Sequence, residues 1–206
     1  MLVTNRRIII PLSLTLLRAF LAPLVVLLAI FEPLPWAFGV CLTLALFTDI
    51  FDGVIARCLD VALPGIRRLD SIVDTIFYAG AVYAVWYLHP QFLLKQAFSL
   101  CLLVSLEVVR YVIDFAKFKR EASYHMWSSK VWGLSLFLAF FGVLVAGRVD
   151  MLFTLAIYMG IVADIEGIMI SFVLRQWQND VPTILHAIRI RQGLPAGVDK
   201  PRSAKG

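Results

Sequence analysis

The sequence predicts an all-α, polytopic membrane protein with six transmembrane helices in one domain. Of its 206 residues 61% are hydrophobic and only 16% are charged, and the mean hydropathy is +0.86. A soluble domain of this size needs a larger wettable surface than that. The apolar residues are also gathered into stretches of roughly 20, the length a helix needs to cross a hydrocarbon core about 30 Å thick.

Spans are expected at about 8–31, 34–56, 69–89, 92–114, 131–148 and 151–174. The first is too long for the apolar stretch of a cleavable signal and no small-residue cleavage site follows it, so it is expected to stay. Pro33 and Pro35 mark a tight turn before the second span, and His89-Pro90 marks another before the fourth. Basic residues set the orientation, because Lys and Arg beside span ends are retained in the cytoplasm. Arg6 and Arg7 precede the first span, Arg57, Arg67 and Arg68 separate the second from the third, and Lys117, Lys119, Arg120 and Lys130 separate the fourth from the fifth. The opposite loops hold only Lys95 and Arg148. Both termini are therefore expected on the cytoplasmic side. Topology and anionic lipid headgroups account for the formal charge of +5 without a nucleic-acid partner.

The six-helix transmembrane domain is expected over 1–177. It is followed by a short interfacial helix in 178–192, where Ile184, Leu185 and Ile188 alternate with Arg189 and Arg191, and by a disordered tail over 193–206. Cys41, Cys58 and Cys101 suggest neither a disulfide framework nor a metal spacing. Gly80/Ala84, Ala156/Gly160 and Ala163/Gly167 repeat at i, i+4, which reads as close helix packing within the chain in preference to a dimer seam.

The stretch from Thr48 to Asp74 concentrates the chemistry. Asp49, Asp52, Gly53 and Ala56 fall within about a 100° arc of the second helix, and Asp70 and Asp74 share a face at the start of the third. Roughly a dozen residues join the two helix ends, a length compatible with antiparallel neighbours. Interfacial acids neutralised by Arg57, Arg67 and Arg68 would account for one or two carboxylates, but not for four in two helix-spaced pairs flanked by Gly and Ala. Four carboxylates at a membrane boundary repel one another and lose hydration unless cations join them. Oxygen-only ligands select hard ions such as Mg2+ or Mn2+, and a pair of such ions clamps phosphoryl oxygens. Gly53 and Ala56 would leave room for a nucleotide or diphosphate, and Arg57 would supply planar donors for phosphate.

Asp49, Asp52, Gly53, Ala56, Arg57, Asp70 and Asp74 resemble the signature of the CDP-alcohol phosphatidyltransferases, D-x-x-D-G-x-x-A-R, eight residues, then G-x-x-x-D-x-x-x-D. Position 66 departs from it, with Ile66 where the signature has glycine and Gly65 one place early. "LTLLRAFLAPLVV" is similar to the family's first helix through Thr15, Arg18 and Pro23, with Leu12 at the usual asparagine. The resemblance implies six helices with both ends cytoplasmic, a homodimer, and transfer of a phosphatidyl group from CDP-diacylglycerol to a small alcohol with release of CMP. It further implies two Mg2+ or Mn2+ ions held by Asp49, Asp52 and Asp70, and Asp74 as general base that also touches a metal. A bacterial-type inner membrane with the active site on its cytoplasmic face is the expected location.

Other charged residues carry weaker signals. Arg18 is intramembrane and requires a partner, either the aspartates or substrate phosphate. Glu107, Arg110 and Asp114 read as an ion network along the fourth span, and Asp164 and Glu166 have no evident partner. Ser128 or Ser129 is expected to cap the fifth helix. Lys130 has no acid within a turn, which makes it, with Arg110 and His125, the expected acceptor-site cation. A phosphorylated acceptor such as glycerol 3-phosphate would need those cations, and serine or unphosphorylated inositol fewer of them; inositol phosphate, serine, choline and phosphatidylglycerol are the alternative acceptors. A divalent-cation transporter is the competing class, disfavoured because the acids sit at one face and the chain lacks repeats.

Overall fold

A computed structural model describes residues 2–58, 64–120, 124, 126–148, 151–178 and 180–193, without the side chains of 2–8, 56, 57, 64, 66 and 67. Among the described residues every regular element is a helix: α1 (Leu2–Phe31), α2 (Pro35–Cys58), α3 (Pro64–Leu88), α4 (Pro90–Lys95), α5 (Ala97–Phe118), α6 (Trp127–Leu144), α7 (Met151–Val173) and α8 (Ile184–Arg191). Proline opens α2, α3 and α4, where its missing N–H costs no intrahelical bond.

Five of these helices, α1, α2, α3, α6 and α7, are long and apolar enough to cross a membrane. The expected span at 92–114 is instead divided at Gln96 into short α4 and longer α5. Gln96 leaves helical geometry at φ −95°, ψ 3°, and its Nε2 donates to Thr154 Oγ1 at 2.8 Å. α5 is long enough to span, but Glu107, Arg110 and Asp114 put at least three charges into every 18-residue stretch of it.

The chain forms two compact units, one of Met1–Lys95 with Phe137–Phe153, the other of Gln96–Leu136 with the chain from Thr154 onward. In the first, α1 packs against α2 and α3. The buried stripe of α1 runs Thr15, Arg18, Ala22, Val25, Ala29, and that of α2 runs Phe38, Cys41, Ala45, Thr48, Asp52. Both follow the alternating three- and four-residue step that keeps side chains on one helix face. Each stripe is apolar along most of its length and polar at one end. Gly80 of α3 sets the approach, since a Cβ there would lie 3.1 Å from the Ala22 carbonyl oxygen.

In the second unit, a Cβ at Gly160 would meet Leu103 and Trp132 at 2.7 Å, and one at Gly167 would meet the Arg110 Cδ at 2.8 Å. The small residues therefore serve packing within the chain, as their spacing predicts. Tyr124, Met126, Ile170, Leu174, Val181 and Ala187 form a core cluster that seats α8, on which Leu185 remains exposed. Large apolar residues such as Phe20, Phe31 and Phe98 are more than 70% exposed, as suits helices that face a hydrocarbon surrounding.

Candidate active site

The polar ends of the α1 and α2 stripes meet the first turns of α3. Arg18, 1% exposed, is the hub. Its Nη1 donates to Asp49 Oδ1 at 3.1 Å and to Asp74 Oδ1. Its Nη2 donates to Asp52 Oδ2 at 2.5 Å and to Asp70 Oδ1 at 3.0 Å. Thr15 Oγ1 adds a contact of 3.4 Å to the same Asp52 oxygen. The two acidic pairs expected from helix spacing thus converge around one guanidinium, and the intramembrane arginine finds its partners in the aspartates. Arg18 and Thr15 belong to the site as fully as the acids do, and the signal for Arg18 in the sequence is a lone charge within an apolar helix.

The four carboxylates are not equivalent. Asp52 is buried, with its side chain 6% exposed, whereas those of Asp49, Asp70 and Asp74 are 48%, 30% and 30% exposed. Ligand oxygens from Asp49, Asp70 and Asp74 lie within 4.8 Å of one another. An all-oxygen, multiply negative set with that spacing fits a hard divalent cation. The trio that faces outward contains Asp74, while Asp52 faces inward against Arg18 and Thr15.

A small cavity lined by Arg18, Asp49 and Asp74 continues between Leu42, Ala45, Leu46, Phe77 and Phe137. Tyr78 lines it too, one helical turn beyond Asp74. Its ring stacks on Phe140 at 6.0 Å. No sequence pattern singles out this tyrosine, which reads as one more apolar-face aromatic of α3. Gly53 lies half-buried on α2. The side chains of Ala56, Arg57 and Ile66, and the whole of His125, lie outside the described residues. A Cβ at Gly65 would meet nothing within 4 Å.

Lys130 and Arg110 belong to the second unit. Lys130 Nζ sits 4.6 Å from the Trp127 ring centroid, a cation–π contact that leaves the ammonium without an acidic partner among the described residues. Arg110 is engaged: Nη1 reaches Asp164 Oδ1 at 2.7 Å and Nη2 lies 3.9 Å from Glu107 Oε1. Asp114 does not complete that network by contact. It accepts from Ser171 Oγ and from the Tyr124 hydroxyl at 3.4 Å. Burial pushes the Tyr124 phenol up to about 12, so it remains a neutral donor at physiological pH.

Glu166, unassigned by sequence, accepts from the Ile184 N–H at 3.3 Å and so satisfies the start of α8. Lys117 caps the other side of that junction, donating to the carbonyls of Ser171 at 2.7 Å and Phe172 at 3.3 Å. Among the described residues, neither expected serine caps the start of α6. The Trp127 N–H donates to the Pro182 carbonyl, and Ser128 Oγ is buried with no partner.

Comparison with known proteins agrees with the geometry. No curated protein and no solved structure gives a significant match to the chain. A family profile described as CDP-alcohol phosphatidyltransferase matches residues 8–177. That match covers most of the chain, including Arg18, all four aspartates and every long helix except the first residues of α1, and the chain therefore belongs to the CDP-alcohol phosphatidyltransferase family.

Proposed function

We propose that this integral membrane protein transfers the phosphatidyl group of CDP-diacylglycerol to the hydroxyl of glycerol 3-phosphate and releases CMP. The observation that carries the reading is the convergence of four carboxylates from α2 and α3 on one small volume, three of them accessible from outside. Asp49, Asp70 and Asp74, with Asp52 behind them, are the residues to hold Mg2+ or Mn2+, two ions in this reading. An ion held there would supply positive charge that stabilises the diphosphate as the bond to CMP breaks.

The chain's own groups do the rest. Gly53 and Ala56 leave space beside α2 for the nucleotide, and Arg57 offers a planar fork to phosphate. Asp74 takes the proton from the acceptor hydroxyl, a role open to a carboxylate that is 30% exposed. The arriving glycerol 3-phosphate is a dianion, and protein cations must offset its repulsion from the aspartates. Lys130, Arg110 and His125 serve as those cations. Lys130 is the least committed, because its ammonium rests on an aromatic face and not on a carboxylate.

Topology follows the same reading. α5 is the sixth span: its Arg110 pairs with Asp164, and its Asp114 is satisfied by Ser171 and Tyr124, so its charges cross the membrane neutralised or hydrogen-bonded. Six spans with the basic loops inside put both termini and the aspartates at the cytoplasmic face of a bacterial-type inner membrane. α8 lies at that interface, and the functional unit is a homodimer.

The test is purified protein with CDP-diacylglycerol, Mg2+ or Mn2+, and a panel of alcohols, followed by CMP release. Turnover with glycerol 3-phosphate is expected, and Asp74→Asn is expected to abolish it while leaving CDP-lipid binding intact. Near-normal rates in the Asp74 variant would remove the base assignment. Preference for a neutral alcohol would remove the acceptor.

A further inference from the structure

The position of Arg18 has a consequence for the aspartate site that the family's chemistry does not supply. Its guanidinium is nearly sealed from outside at 2% side-chain exposure and touches all four carboxylates with both terminal nitrogens. Two of the oxygens it holds, on Asp49 and Asp74, come from the trio whose ligand atoms are close enough to grip one cation, and a third contact falls on Asp70 of that trio. A guanidinium and a hard cation both need the lone pairs of the same carboxylates. Arg18 already takes one oxygen of each carboxylate, so a cation entering the trio meets a partly occupied ligand set and a positive charge beside it.

Only the two terminal nitrogens of Arg18 are tied to the carboxylates. Its Nε is buried with no hydrogen-bond partner, so the side chain is held at its tip and not along its stem. Four carboxylates in partial burial would repel strongly without a positive charge among them. One arginine leaves three negative charges uncompensated, enough to attract a divalent ion but less than the bare cluster would offer.

We propose that Arg18 is a built-in competitor of the divalent cation, a guanidinium counter-ion that holds the aspartates of α2 and α3 together and must yield carboxylate oxygens as the cation binds. The inference rests on the reading that these carboxylates hold a divalent ion. The site keeps its shape by exchanging one cation for another, and its ion affinity is set lower than four carboxylates would give.

Mn2+ binding to purified protein, followed by electron paramagnetic resonance without any lipid substrate, tests this directly. Arg18→Gln keeps a hydrogen-bonding side chain and removes the charge. It is expected to bind Mn2+ on the order of tenfold more tightly than wild type, since a unit charge a few ångströms from the ion is lost. Arg18→Lys keeps the charge on a single ammonium that cannot fork between four carboxylates, and its affinity is expected to fall between the two. A merely structural arginine would give the opposite sign, because losing it would loosen the cluster and weaken Mn2+ binding. If Arg18→Gln does not fold without ion, Arg18→Lys decides: affinity above wild type supports the exchange, and equal or weaker affinity overturns it. Wild-type protein that binds no Mn2+ at all would overturn both the exchange and the metal reading beneath it, whereas unchanged affinity in both variants, with wild type binding normally, would overturn the exchange alone.

Discussion

Arg110 and Asp164 form a pair whose two members differ in burial, and that difference can be measured. Asp164 is fully buried at 0% exposure, whereas the Arg110 side chain is 23% exposed and has Glu107 at 3.9 Å as a second acid. Removing the arginine as Arg110→Met keeps most of the aliphatic stem that packs on Gly167 but leaves a buried carboxylate with no countercharge. Breaking a buried pair in this way costs about 3–5 kcal/mol. Removing the acid as Asp164→Leu leaves a guanidinium that can turn to Glu107 and to water, and should cost less, about 1–3 kcal/mol. The double variant replaces the whole pair by apolar groups, which is often close to neutral. The two single costs should therefore fail to add, with a coupling energy of at least about 4 kcal/mol, the smallest sum of the two single losses. Unfolding in mixed micelles titrated with sodium dodecyl sulfate, read by helical circular dichroism, gives all four corners of the cycle. Additivity within about 0.5 kcal/mol, or a larger loss in Asp164→Leu than in Arg110→Met, would show that burial does not govern this pair.

Gly80→Leu should drive α1 and α3 apart, because even a Cβ would lie 3.1 Å from the Ala22 carbonyl oxygen and backbone cannot give way as a side-chain tip can. Overpacking of this kind costs about 1–3 kcal/mol. A shift near 1 Å between Arg18 and the α3 aspartates should lower CMP release by about two decades; unchanged turnover would count against a rigid α1–α3 contact. Lys130→Gln should raise the KM for glycerol 3-phosphate by one to two decades, about 1.5–3 kcal/mol for a lost charge-assisted bond, with the KM for the CDP lipid nearly unchanged. Unaffected acceptor kinetics would remove Lys130 from the acceptor site.

The parts of this molecule that were legible in its sequence are those fixed by a single helix. Asp49 and Asp52, or Asp70 and Asp74, are three and four residues apart, so the helix itself makes them neighbours. The short connection between α2 and α3 then lets the two pairs meet. Partners on different helices leave no such trace. Asp114 and Ser171 are 57 residues apart, and nothing in either local pattern says that their helices present those faces to each other. The expected network of Glu107, Arg110 and Asp114 holds at Glu107–Arg110 and not at Asp114: spacing placed Asp114 within reach of Arg110, while a serine and a tyrosine from elsewhere in the chain offered it hydrogen bonds. The break at Gln96 was hidden as well, since no Gly or Pro marks it and its stabilising contact lies on Thr154.

The same distinction explains why Asp49 and Asp52 look alike in sequence and differ in the fold. A three-residue step turns the helix by about 300°, leaving the two side chains some 60° apart on α2. That is close enough for both to reach Arg18 and far enough for only one to join the buried stripe. Asp52 continues the run from Phe38 through Thr48 and is closed over by α1, with Thr15 and Arg18 against it. Asp49 lies at the edge of that stripe and stays 48% exposed. Helix spacing announces that a charge within the apolar span needs company, and the packing of α1 decides which aspartate supplies it from inside and which remain open to a ligand. Arg18 is the residue through which that decision is made, because among the described residues it is the one side chain in contact with the inward acid and the three outward ones at once.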